Sequence, residues 1–331
     1  MIATPRRALL AAPLLAAPLL AAPATVRAQA PVVNRPARII AGFPAGGTVD
    51  LTARLLAERL RGGWAPQVVV ENRVGATGRL AIEEAIRAEA DGSTILITPA
   101  SMITIYPHLY GDRLRYAPLA DLAPISPVVV YPFGLAVGPG APGVTNLAQF
   151  LDLARARRGL SYASPAAGSV PHFTGVMLAR AAGVELVHVP YRGAAPAITD
   201  AIGGQIAATI NVLGDLVPHQ GAGRLRILAV TSAARLPRLP DVATFAEQGQ
   251  PELTADEWFG VFLPARAPAA LVAQLNAALG AAVAEPALRQ NLEAREFQPV
   301  HMGADAFAAR IRAETAKWGP VVQASGFRPE D

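Results

Sequence analysis

Residues able to hold an anion gather at a few points along this chain. Gly46, Gly47 and Thr48 lie within Gly42–Asp50, and Ser164, Gly168 and Ser169 within Ser164–His172. Arg192 and Gly193 lie within Pro190–Ala195, and Ser101 closes Thr98-Pro99-Ala100-Ser101. Glycine lets a ligand reach the main chain, hydroxyls donate hydrogen bonds, and a guanidinium adds charge. Ser169 and His172, three residues apart, raise a second chemistry, a nucleophile beside a base. The elbow pattern G-x-S-x-G is absent and no orienting acid is evident nearby, so Ser169 reads as a helix cap or carboxylate donor. With no cysteine, thiol catalysis, disulfides and Cys-ligated metals are excluded. The five histidines are dispersed, with neither H-x-H nor H-E-x-x-H spacing, and no metal or other cofactor is expected.

Elements of alternating type must position these loops. Ala37–Ala41 is an apolar run that breaks into the Gly42–Asp50 loop. Leu51, Leu55, Leu56 and Leu60 then recur at the spacing of one helix face. Strand, glycine loop, helix is an order that sets free N–H groups and a helix dipole at the carboxyl edge of a sheet. Asp50 is expected to cap that helix. The order repeats with a strand at Gln67–Glu71, a loop at Asn72–Gly78 carrying Asn72 and Ala76, and a helix about Arg79–Ala90. A strand at Thr94–Thr98 follows. A second series has strands at Leu160–Ala163, Glu185–Val189, Ile206–Ile210 and Arg226–Thr231, and Asn211 closes the third of these. Between the series runs the proline-interrupted stretch Ile125–Val137, and after them Glu257–Pro264. Both read as strands crossing between two α/β lobes. Helical stretches at Pro268–Ala284 and Ala304–Trp318 are expected to return to the first lobe. Neither G-x-G-x-x-G nor G-x-x-x-x-G-K-[ST] occurs, which moves phosphate cofactors aside.

The N-terminus reads as an export signal. Arg6 and Arg7 precede an uncharged Ala/Leu/Pro run, and Ala28-Gln29-Ala30 offers a small-x-small cleavage site. Pro13, Pro18 and Pro23 and the short run argue against a membrane span. Without residues 1–30 the chain carries 26 basic against 25 acidic residues, so no nucleic-acid partner is expected. The expected division is residues 1–30 as signal, 31–130 with 257–331 as the first lobe, and 131–256 as the second.

Several motifs in order resemble one family. They are Gly42-Phe43-Pro44-Ala45-Gly46-Gly47-Thr48-Val49-Asp50, Val70-Glu71-Asn72-Arg73-Val74-Gly75-Ala76-Thr77-Gly78 and Ala90-Asp91-Gly92-Ser93-Thr94-Ile95-Leu96. His188-Val189-Pro190-Tyr191-Arg192-Gly193, Ile202-Gly203-Gly204-Gln205-Ile206 and Leu228-Ala229-Val230-Thr231-Ser232 continue the set. The chain is similar in these to the tripartite tricarboxylate transporter substrate-binding receptors, the Bug family. The resemblance implies a two-lobed Venus-flytrap fold of the type II periplasmic-binding class, with no catalysis. It also implies a periplasmic monomer that holds a di-, tri- or aromatic carboxylate between its lobes and passes it to membrane subunits. With the loop residues above, the candidate ligand-binding set is Phe43, Ala45, Gly46, Gly47, Thr48, Asn72, Ala76, Ser101, Ser164, Gly168, Ser169, His172, Arg192, Gly193 and Asn211. Many relatives have aspartate where this chain has Asn211, which argues against an amino-acid ligand here. The alternatives are a receptor feeding a signalling partner, or a secreted serine hydrolase using Ser169 and His172.

Overall fold

A computed structural model describes residues 1–2 and 31–329. Apart from its first two residues, the expected export signal lies outside the described residues, and from Pro31 onward the chain forms one unit. The first series is β1 (Ala37–Ala41), α1 (Thr48–Leu60), β2 (Val68–Asn72), α2 (Arg79–Arg87) and β3 (Thr94–Pro99). Three short helices, α3 (Ala100–Thr104), α4 (Tyr106–Tyr110) and α5 (Pro118–Asp121), lead into the long β4 (Leu122–Val137). The second series begins with α6 (Leu147–Ala156), β5 (Leu160–Ser164), α7 (Val170–Ala182) and β6 (Leu186–Pro190). It ends with α8 (Ala194–Ile202), β7 (Ala208–Val212), α9 (Leu213–Gly221) and β8 (Arg226–Val230). The chain then returns through β9 (Asp256–Pro264), α10 (Ala269–Ala284), α11 (Pro286–Glu293), β10 (Gln298–Pro299) and α12 (Ala304–Ser325).

Two sheets share β4, which changes partners along its length. Leu122–Pro132 runs antiparallel to β9 in a sheet of order β2-β1-β3-β9-β4. Phe133–Val137 pairs antiparallel with β7 on one side, and Gly134–Val137 with β8 on the other; β7 leads to β5 and β6. The register of β4 on β9 shifts between Pro124 and Ser126 and again between Pro127 and Val129. Proline has no N–H for the ladder, so bulges fall where prolines interrupt a strand. β1, β2 and β3 are mutually parallel, as are β5, β6 and β7, so in each sheet the loops after the strands open toward one edge.

The core explains why the elements hold. α1 buries Val49, Ala53, Leu56, Ala57 and Leu60, one face at helical spacing. Every residue of β3 is buried, as expected of a central strand covered on both faces. On β9, the Trp258 ring packs edge-on against Phe307 and its Nε1 donates to Glu314 Oε2 at 2.8 Å, which fixes α12 on the first sheet. α12 also contacts α7 of the second series, so the C-terminal segment touches both halves.

Asp50 is not the cap of α1. That position belongs to Gly47, and the Asp50 carboxylate, in the first helical turn, accepts from the Gly46 N–H and from Arg54 Nε, each at 2.9 Å. The reach back to a preceding N–H is that of a capping-box acid. Burial pushes the Asp50 carboxyl up, but the bonds from Arg54 and Gly46 outweigh it and hold its pKa below the ordinary value.

Candidate ligand-binding site between the two sheets

The loops at the open edges of the two sheets face one another across a cavity with about 70 Å³ of free space. At ~10–15 Å³ of such space per water, it has room for roughly five waters. From the first half come the β1–α1 loop (Phe43, Ala45, Thr48), the β3–α3 junction (Ser101, Met102) and Glu257 and Phe259 of β9. The second half supplies Pro165 and Ser169 of the β5–α7 loop, Gly193–Pro196 at the start of α8, and Val212 and Asp215 around the β7–α9 junction. Tyr131 and Phe133, on either side of the point where β4 changes sheets, complete the wall. The lining is mainly apolar, and it contains no Arg, Lys or His among the described residues.

Backbone N–H groups make up much of the polar equipment. α1 and α8 both begin in the wall, with Thr48, Val49, Ala194 and Ala195 in the lining. None of these four N–H groups has an acceptor among the described residues. Such groups at a helix start carry the positive end of the dipole and suit a carboxylate. α7 differs, because the Val170 N–H donates to Ser101 Oγ at 3.1 Å across the two halves. Ser101 in turn gives its N–H (2.6 Å) and its hydroxyl to Glu257 Oε1, and the Tyr131 hydroxyl donates to Glu257 Oε2 at 3.2 Å. Burial pushes the Glu257 carboxyl up to about 7, although the bonds from Ser101 and Tyr131 pull the other way. Asp215 is also raised to about 7 by loss of water, with the Thr48 hydroxyl offsetting part of it.

The candidate residues of the sequence are distributed over more than this cavity. Phe43, Ala45, Gly47, Thr48, Ser101, Ser169 and Gly193 line it. Ala76, His172 and Arg192 instead line a larger cleft of about 950 Å³ on the far side of the Phe43-Pro44 segment, with Arg79 and Arg328. Gly46 has its N–H taken by Asp50, and Asn72 Nδ2 donates to Phe43 O at 3.0 Å, so both shape the loop. Ser164 is buried, giving its hydrogen to Ala166 O and accepting from His188 Nε2 at 2.7 Å. Gly168, at φ +72°, donates its N–H to His172 Nδ1. Asn211 is buried on β7 and bonded to Thr209 Oγ1, while the next residue, Val212, faces the cavity, as alternation along a strand requires. A carboxyl group nonetheless lines the cavity, on Asp215.

Ser169 and His172 do not form a dyad. Ser169 stands at the N-cap of α7, but its hydroxyl donates to Ala166 O at 2.6 Å rather than to a helix N–H or to His172. The His172 ring stacks on His188 at 3.9 Å and meets the Phe327 ring edge-on at 4.4 Å. Burial, with His188 beside it, drives the His172 pKa down to about 3, and burial drives His188 to about 4. Both rings are neutral structural groups at physiological pH. Glu257 and Asp215 are the residues that sequence reasoning missed. A lone acid opening the apolar run Glu257-Trp258-Phe259 was a usable signal, whereas Asp215 sits on a helix whose Gly and Pro content hid it.

Comparison with known proteins agrees with this geometry. A family model described as the tripartite tricarboxylate transporter family receptor matches residues 52–327. The protein BugT of Bordetella pertussis is 32% identical, over 89% of this chain and 90% of its own. Among solved structures, Rpa4515 of R. palustris with adipate superposes with a TM-score of 0.84 at 31% identity, covering 89% of this chain and 99% of that one. MatC from Rhodopseudomonas palustris with bound malate gives 0.79 at 26%, over 87% of this chain and 99% of that one.

Proposed function

As the chain belongs to the tripartite tricarboxylate transporter receptors, we propose that it captures a small carboxylate between its lobes and delivers it to transporter membrane subunits. The observation that carries this reading is the cavity itself, walled by both halves, with open N–H groups at the starts of two helices and few competing polar groups. Two of the similar structures are described with dicarboxylates, adipate and malate. A carboxylate held by dipoles and N–H groups, without a guanidinium clamp, is bound firmly yet can be released.

Binding works by population shift. A ligand that touches both walls favours the closed arrangement, with bending at β4, where it changes sheets, and just before β9, where the chain returns to the first sheet. The lobe limits 31–130 with 257–331 and 131–256 are proposed on the same ground, since β4 exchanges partners between Pro132 and Phe133. The protein acts as a periplasmic monomer, exported with cleavage near Ala30. Calorimetry of the mature protein against aliphatic and aromatic carboxylates, with and without amino groups, tests the reading. Saturable heat with at least one acid is expected. No heat with any of them, alongside turnover of an ester, would overturn it in favour of a hydrolase.

A further inference from the structure

We infer that Asp215 is the residue that selects the ligand, and that the cavity is built for a carboxylate whose other end carries a hydrogen-bond-donating cation, an amino-carboxylate rather than a plain dicarboxylate. This rests on the receptor reading above and narrows it. Two helix starts in the wall, α1 and α8, have open N–H groups for a carboxylate. They are not equivalent. Asp215 Oδ2 lies 3.4 Å from the Thr48 hydroxyl, at the first residue of α1, so that end already faces a carboxyl group belonging to the protein. The start of α8, at Ala194 and Ala195, has no such neighbour in the lining besides the neutral loop residues around it.

A plain dicarboxylate needs two anion-binding ends. Its second carboxylate would meet the Asp215 carboxyl at α1, where the two cannot both ionise, in a lining with no Arg, Lys or His among the described residues to balance a second negative charge. An ammonium there meets an acceptor instead, and the ligand carboxylate goes to the start of α8. Glu257, the other acid in the wall, does not compete for the cation. Its oxygens are occupied by the Ser101 N–H and hydroxyl and by the Tyr131 hydroxyl. Asp215 keeps its second oxygen without a bonded partner among the described residues. In the empty receptor the raised proton affinity of Asp215 lets it carry a proton, which an arriving ammonium displaces to solvent.

The test compares γ-aminobutyrate and aspartate with succinate and adipate, by calorimetry on the wild-type protein and on Asp215→Asn, a substitution of the same shape. The inference expects the wild type to bind one of the amino-carboxylates at least tenfold more tightly than either dicarboxylate. It also expects Asp215→Asn to lose at least tenfold for that amino-carboxylate while succinate stays level or improves. A wild type that prefers succinate or adipate overturns the inference and leaves the receptor reading standing, and an unchanged amino-carboxylate affinity in Asp215→Asn does the same. A wild type that binds none of the four, nor any acid of the wider series, overturns both. The wild-type ranking stands without the variant, so a poorly folded Asp215→Asn does not remove the test.

Discussion

Replacing Glu257 by Gln changes how stability depends on pH, and the expected size follows from where the carboxyl sits. Burial raises its pKa from the ordinary 4.5 to about 7 despite the bonds it accepts from Ser101 and Tyr131. The folded protein therefore holds this proton more tightly than the unfolded chain does. Below about pH 4.5 both states are protonated and the group has no effect. As pH rises toward about 7 the unfolded chain gives up the proton first, so stability falls, and above about 7 the loss is complete. At about 1.4 kcal/mol per tenfold change in proton affinity, the loss is on the order of 3 kcal/mol. Glutamine keeps the geometry, since its oxygen accepts from Ser101 and its NH₂ donates to the Tyr131 oxygen, but it has no proton to lose. Glu257→Gln should match the wild type near pH 5 and exceed it near pH 8, by a Tm difference on the order of 5 °C for a chain of this size. The opposing contributions of His172 and His188, and the parallel one of Asp215, are common to both proteins and cancel in the difference. Thermal unfolding of the two proteins from about pH 5 to 8 measures it. Curves that run parallel over that range would refute the account of Glu257 as a buried, proton-holding acid.

Two further substitutions probe the closed arrangement. Gly193 has φ +109°, and a Cβ there would stand 3.1 Å from Pro44 Cδ in the opposite half. Gly193→Ala should cost ~1–3 kcal/mol in the closed form and weaken ligand binding about tenfold, and unchanged affinity by calorimetry would show that the two loops do not meet in the bound state. Ser101→Ala leaves the buried Val170 N–H without its acceptor and Glu257 without one donor. A loss of ~1–3 kcal/mol in chemical unfolding is expected, together with weaker binding. A variant as stable and as tight as the wild type would mean that this bond does not join the halves.

Much of this was legible in the chain because it was local. Ala37–Ala41 is a strand with the limits its apolar run marked, and α2 starts at Arg79 as the glycine before it suggested. The crossover of β4 was legible too, since a β-branched run broken by prolines, Ile125–Val137, suits a strand that must shift register, whereas β9, expected as a second crossing strand, pairs only within the first sheet. Less local features were hidden. α9 contains Gly214, Pro218 and Gly221, which lower helix propensity, and it persists because Leu213 and Leu216 are buried against the second half. Its neighbour β7 begins and ends two residues later than the pattern predicted, which brings Val212 rather than Asn211 to the cavity. His172, in the first turn of α7, and Arg192, in the β6–α8 loop, adjoin residues that border the cavity, yet both line the outer cleft, a matter of direction that spacing along the sequence does not carry.

The same long-range geometry ties the cavity to β4 and β9. Tyr131 stands on β4 beside the exchange of sheets, Glu257 opens β9, Ser101 begins α3, and Val170 begins α7 in the other half. One hydrogen-bonded series, Tyr131 to Glu257 to Ser101 to Val170, joins all four. β4, which passes between the sheets, and β9, which begins where the chain returns to the first sheet, are thus linked through a buried acid to the bond that Ser101 makes with α7. Under the proposed opening of the cleft, the Val170–Ser101 bond breaks while the Ser101–Glu257 bonds, within the first half, stay intact. Glu257 thereby holds Ser101 as a preset acceptor, so that the proposed closure would recover a bond without first ordering a side chain.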